Sequence, residues 1–301
     1  MTVRQFHKLV EVGPVGLMPW AEKELEEYAK EIIRYDTLPG DNAEILRRIG
    51  DADAVLVRTQ PRIDAEVLSK APNLKYVGMC CSLYSKESAN VDIDYAQEHG
   101  ITVYGIRDYG DRGVVEYVLY QLIRILHGYD YPMWKEKPLE LTGMKVGMVG
   151  LGVSGGMTAD ALAFLGAKVS YYARSKKPER EAMGMHYQEL IPLLKESDVV
   201  ITALNKNVIL LKEEEFKALG EGKIMINTSI GPAADLTCLA KWVENPKNIF
   251  CSDTYDGIGA MDEAHQHLPN VLCTNASAGM TKQGYDLMSK KVLDNIRKAL
   301  D

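Results

Sequence analysis

The segment Gly150-Leu151-Gly152-Val153-Ser154-Gly155 carries the clearest chemistry in the chain. The apolar run VGMV precedes it, the helix-like ADALAFLG follows, and KVSYY then reads as a second strand. Between a strand and a helix, the G-x-G-x-x-G spacing builds a site for a dinucleotide pyrophosphate. Gly150 permits the tight turn, Gly152 lets the backbone approach the anion, and Gly155 lets helix and strand pack closely. Val153 and Ser154 open the helix, whose free N–H groups and positive dipole end face the phosphates.

The end of the second strand selects the nucleotide. An acidic residue about 20 positions after the glycines would bond a ribose 2′-hydroxyl. This chain instead reads Tyr172-Ala173-Arg174-Ser175-Lys176-Lys177, without a carboxylate. The Arg174 guanidinium fork fits a 2′-phosphate, Ser175 adds a hydroxyl, and Lys176 adds a point charge. The expected cofactor is NADP(H).

The elements that must hold this site follow from hydrophobic spacing. KLVEVGP (8–14), ADAVLVR (52–58), LKYVGMCC (74–81) and ITVYG (101–105) read as strands. WAEKELEEYAKEI (20–32), DAEVLSKAP (64–72) and DIDYAQEHG (92–100) read as helices. Strands alternating with helices predict a parallel sheet covered on both faces. VVEYVLYQLIRILHGYD (114–130) is apolar on every side, which predicts a helix buried between domains or subunits. Tyr171 and Tyr172 fall in the second strand of the nucleotide domain. The 301 residues suit two domains rather than one core.

Composition narrows the partners. Apolar residues make up 46% and charged residues 26%, as in globular proteins, which argues against long disorder. A net charge of −7 gives no attraction to nucleic acid. No apolar run reaches the roughly 18 residues of a membrane span, and the N-terminus has no signal-like apolar stretch. Cys80, Cys81, Cys238, Cys251 and Cys273 form an odd set without C-x-x-C spacing, so no disulfide framework or metal site is expected. A reducing cytoplasm fits. His265 and His267 lack a third ligand, which makes a poor metal pair.

Nearly the whole chain resembles the D-isomer-specific 2-hydroxyacid dehydrogenase family. The resemblance rests on ADAVLVRTQPRIDAEVLSKAPNLKYV, NVDIDYAQEHGITVYGI, the glycine loop and ESDVVITAL. It continues through INTSIGPAADLTCLAKWV, DTYDG and LPNVLCTNASAG. It implies an α/β fold with a Rossmann dinucleotide-binding domain over 108–277. A smaller flavodoxin-like α/β substrate domain would combine both chain ends, 1–107 and 278–301. It also implies a homodimer through the 114–128 region and a small-molecule substrate. Thr228, Ser229 and Asp253 match family positions near the nicotinamide.

The family's catalytic positions are altered. The place of the substrate-binding arginine is Ile230, that of the orienting glutamate is Asp256, and that of the acid–base histidine is Ala276. Asn275 stands where the family has proline, and the usually glycine-rich loop of the first domain reads CCSLYSKESANVD. An isoleucine cannot clamp a carboxylate and an alanine cannot transfer a proton. Two readings remain. One is an NADPH-dependent oxidoreductase with a replaced site, acting on an activated alkene, an imine or a carbonyl lacking the usual carboxylate. Its candidate catalytic residues are Tyr84, Lys86, Arg112 and Asp256, with Tyr109, Asp111 and Lys282 as further donors. The other is a non-catalytic NADP(H)-binding sensor or assembly protein.

Overall fold

A computed structural model describes residues 4–206 and 208–301. The chain divides into two compact units, Met1–Tyr109 with Thr281–Asp301, and Gly110–Met280.

The first unit is built on five parallel strands, β1 (Phe6–Glu11), β2 (Ala29–Arg34), β3 (Ala54–Val57), β4 (Tyr76–Ser82) and β5 (Thr102–Ile106). Their order, β2-β1-β3-β4-β5, is the flavodoxin-like one. AVLV in β3 is buried throughout, as both faces of a parallel sheet require. One face packs on Ile45, Ile49, Val67 and Leu68 from two helices. The other packs on Met288, Val292, Leu293 and Ile296 of the C-terminal helix Lys282–Leu300, which lies against β4 and β5.

The helix expected over 20–32 is shorter than its spacing suggests. It runs only Pro19–Leu25, and residues Ala29–Arg34 form β2, paired in parallel with β1. Leu25, Tyr28 and Ala29 keep a helical rhythm, yet the Ile32-Ile33 pair and its ladder to Leu9 and Val10 decide the outcome. That pairing is non-local, so a local pattern does not contain it.

Glu11 ends β1 and is 5% exposed. Its Oε1 lies 3.3 Å from Arg34 Nε without hydrogen-bond geometry. Burial pushes the carboxyl up to about 7, against the pull of Arg34. The folded state then binds a proton that the unfolded state has already released. Stability from this group is therefore present below about pH 4.5 and lost as pH rises to about 7. Glu11→Gln should raise stability at pH 8 by about 1–3 kcal/mol and flatten the decline between pH 5 and 8. Urea melts of both proteins at several pH values check this.

The second unit carries seven parallel strands, β6 (Lys145–Val149), β7 (Lys168–Tyr172), β8 (His186–Tyr187), β9 (Val199–Thr202), β10 (Ile224–Asn227), β11 (Ile249–Ser252) and β12 (Val271–Cys273). The order β12-β11-β10-β9-β6-β7-β8 reverses direction at β6, as in a Rossmann sheet. The apolar helix Asp111–His127 buries Val118, Leu122, Ile125 and Leu126 against this sheet's core. It is not apolar on all sides: Tyr120 and Ile123 face outward in the single chain. Cys80, Cys81 and Cys251 are buried, and burial raises the Cys80 and Cys251 thiols.

Candidate functional site

The glycine loop joins β6 to the helix Val153–Phe164 at the sheet's reversal point, where open α/β sheets bind ligands. Gly150 has φ +98°, and a Cβ there would lie 2.4 Å from the Ala203 carbonyl oxygen. A Cβ on Gly155 would lie 2.5 Å from the Gly150 oxygen. At Gly152 it would meet nothing within 4 Å, so the backbone is open to a ligand there. Val153 is exposed and Ser154 half-buried at the helix start. These features fit a diphosphate.

A cavity of about 360 Å³ extends from this loop. Gly150, Gly152, Arg174, Ser175 and Lys177 line one side, and Asn205, Val208 and Leu210 line another. Arg174 and Ser175 are thus brought beside the glycines. Lys176 is not among the lining residues. Its Nζ sits 5.3 Å from the centre of the Tyr187 ring, while the half-buried Lys177 faces the cavity.

The far half of the sheet holds the other nucleotide candidates. Asp253 follows β11, and its Oδ2 accepts the Ala278 N–H at 2.8 Å. Burial raises its carboxyl, opposed by backbone hydrogen bonds. Thr228 donates its hydroxyl to the Thr202 carbonyl at 2.9 Å. Ser229 is buried, and its Oγ accepts the Leu204 N–H at 2.9 Å. Both hydroxyls also hold the loop in place. Asn227, which sequence reasoning passed over, organises this end. Its Oδ1 accepts from Thr202 Oγ1 at 2.7 Å and from the Ser229 N–H at 3.0 Å. Its Nδ2 donates to the Gly231 and Gly257 carbonyls at 3.0 and 2.8 Å. One buried amide thereby joins the loops that carry Ile230 and Asp256. The polar residue at the end of an apolar strand IMIN was the available signal.

The four catalytic candidates divide between the units. Tyr84 and Lys86 belong to the first, Arg112 and Asp256 to the second. Arg107 fixes the Tyr84 loop, donating to the Leu83 and Tyr84 carbonyls at 2.6 and 3.0 Å with its guanidinium 5.3 Å over the Tyr84 ring. Lys86 is paired with Asp94 at 2.9 Å, and that hydrogen bond raises its ammonium further. A lysine held this way is a weaker proton donor at neutral pH. Arg112 is exposed in the first turn of the helix Asp111–His127, and Asp256 is exposed on the short helix Tyr255–Ile258. Ile230 is 48% exposed and Ala276 is exposed too. Asn275 has φ +48°, with its Oδ1 3.4 Å from the Tyr255 N–H. His265 is bracketed by Asp262 at 2.6 Å and Glu244 at 3.4 Å, which raises it. His267 lies 3.9 Å from Glu263. Among the described residues no cluster of His, Cys, Asp and Glu could hold a metal, and no helix is long and apolar enough to cross a membrane.

The model of the D-isomer specific 2-hydroxyacid dehydrogenase catalytic domain matches residues 15–301. The chain belongs to this family. It is 32% identical over 238 residues to a hydroxypyruvate reductase of Blautia hydrogenotrophica, covering 72% of this chain and 71% of that one. It is 31% identical over 223 residues to a glyoxylate reductase of Thermofilum pendens, covering 67% and 64%. A glyoxylate reductase structure from Paecilomyes thermophila superposes with a TM-score of 0.80 at 20% identity, over 98% of this chain and 95% of that one. The 2-hydroxyacid dehydrogenase superfamily consists of oxidoreductases, and this chain is one of them. The family's cofactor is a nicotinamide dinucleotide, for which the glycine-loop cavity has the parts.

Proposed function

We propose that this 2-hydroxyacid dehydrogenase relative is an NADP(H)-dependent oxidoreductase whose active site departs from the family's. The observation that carries the cofactor choice is the cavity wall itself. It sets Arg174, Ser175 and Lys177 beside Gly150 and Gly152 without a carboxylate among its lining residues. The loop N–H groups would hold the pyrophosphate, the basic turn the 2′-phosphate, and Val208 with Leu210 would offer an apolar wall to the adenine. Asp253 and the Thr228 loop would border the nicotinamide. The bound nicotinamide supplies hydride transfer, and the chain supplies binding, orientation and the proton.

The departure from the family rests on Ile230 and Ala276, which offer neither an anion clamp nor a proton. The substrate is a small activated alkene, an imine or a carbonyl without the 2-oxoacid carboxylate, unlike those of the hydroxypyruvate and glyoxylate reductases the chain resembles. Residues 1–107 with 278–301 would bind it, and 108–277 the nucleotide. Arg112, Tyr84 and Asp256 remain its candidate partners; the Asp94 pair argues against Lys86. We place the protein in the cytoplasm as a homodimer through 114–128.

Titration with NADPH and NADH by nicotinamide fluorescence tests the cofactor reading. NADPH should bind at least about tenfold more tightly, roughly 1.4 kcal/mol. Turnover is then assayed with glyoxylate, hydroxypyruvate, an enal and a cyclic imine. Tight NADPH binding with no turnover of any of these would favour the sensor reading, as would the absence of an acid–base side chain at 276. Equal affinity for the two nucleotides would sink the NADP(H) assignment.

A further inference from the structure

Tyr171 is the least exposed side chain near the basic turn, and its hydroxyl points at that turn rather than at the core. It lies in β7 and is fully buried. Its oxygen accepts the Lys177 N–H at 2.6 Å, and its hydroxyl donates to Glu181 Oε1 at 3.3 Å. Lys177 is pinned from its other side too. Its carbonyl accepts the Arg180 and Glu181 N–H groups at 2.9 and 3.0 Å, starting the helix Pro178–Glu181. That helix is tied back to the glycine-loop helix by a hydrogen-bonded ion pair between Arg180 and Asp160. Arg180 rests on Gly156, where a Cβ would approach Nη2 to 2.9 Å. The Gly150 N–H donates to the Tyr172 carbonyl at 2.9 Å, which closes the frame between glycine loop and basic turn.

The consequence is a choice between two adjacent lysines. Successive residues of a turn point in different directions, so pinning the Lys177 backbone sets which one reaches the cavity. Lys177 lines it with Arg174 and Ser175, and Lys176 lies over Tyr187. We propose that Lys177 is the second cation of the 2′-phosphate subsite and that the Tyr171 phenol is the positioning residue that holds it there. Phenylalanine at 171 would fill the same space but leave the Lys177 N–H without its acceptor. The turn would then lose its fixed register while the glycine loop kept its own.

This inference rests on the NADP(H) reading, and one set of titrations separates the two. NADPH and NADH affinities are measured for the wild type, Tyr171→Phe, Lys177→Ala and Lys176→Ala, each checked for folding by thermal melting. Tyr171→Phe should weaken NADPH by about threefold to tenfold, the size of one hydrogen bond, and leave NADH within about twofold. Lys177→Ala should weaken NADPH by about tenfold or more, and Lys176→Ala should leave it unchanged. Equal loss of both nucleotides in Tyr171→Phe would make the phenol merely structural and overturn its role. Equal effects of the two lysine variants would overturn the assignment of Lys177, and that comparison decides even where Tyr171→Phe does not fold. A wild type without NADPH preference would remove the NADP(H) reading and this inference with it. Wild-type preference combined with inert variants would remove the inference alone.

Discussion

Arg174→Ala should lower NADPH affinity by about 10- to 100-fold, the worth of a charged hydrogen-bonded contact, and leave NADH within about twofold. The asymmetry follows from where Arg174 stands. It is exposed after β7 on the cavity wall, next to Ser175, and its side chain rather than the glycine-loop backbone supplies the contact. No ion pair among the described residues holds it, so the variant leaves no buried charge behind. A lysine at 174 would restore the charge but not the two-pronged geometry, so Arg174→Lys should recover only part of the loss. The check is competitive titration at two salt concentrations. The NADPH advantage should shrink as salt rises, because an exposed cation is screened. An Arg174→Ala protein that keeps the full NADPH preference would exclude this residue from the subsite.

The second large effect is a contrast between two glycines two residues apart. Gly152→Ala should fold with an unchanged melting temperature and lose roughly 10- to 100-fold in affinity for both nucleotides. The added methyl meets nothing within 4 Å of the chain, and φ at Gly152 is −77°, which alanine tolerates. It would project into the space that a pyrophosphate needs, at an overpacking cost of about 1–3 kcal/mol. Gly150→Ala should instead damage the fold. It combines φ +98° with a contact to a backbone oxygen that cannot swing aside. The strain alone costs about 1–3 kcal/mol, and the contact adds to it. Thermal melting and nucleotide titration of both variants separate the roles. Similar melting temperatures for the two would contradict the division between a turn glycine and a ligand-facing one.

The glycine loop was legible because its requirements are local. A tight turn, an open backbone and a close helix start each demand a missing Cβ at a set spacing, and the residues declare it. Several apolar strands were legible for a similar reason, since burial on two faces leaves continuous runs such as AVLV and VGMV. β2 was not, because Glu27 to Ile32 carries a helical rhythm and only its ladder with β1 makes it a strand. The choice between Lys176 and Lys177 was not legible either. It depends on a phenol six residues before Lys177 and on a helix tied to Asp160, neither of which is visible in a basic tetrapeptide. Ser229 carries a second role that its type alone does not reveal. Its type suggests a ligand contact, and its oxygen in addition accepts the Leu204 N–H across the sheet end.

The left-handed backbone at Asn275 bears on how this chain can change over time. Proline holds φ near −65°, and asparagine is among the few residues that tolerate φ +48°. A proline at 275 would therefore require the loop to leave its present conformation first. The neighbouring position is constrained with it, since the Ala276 N–H donates to the Asp253 carbonyl at 2.8 Å in the present loop conformation. Substitution at 275 is therefore confined to the few residues that accept a left-handed main chain, chiefly glycine, asparagine and aspartate, unless the loop moves first.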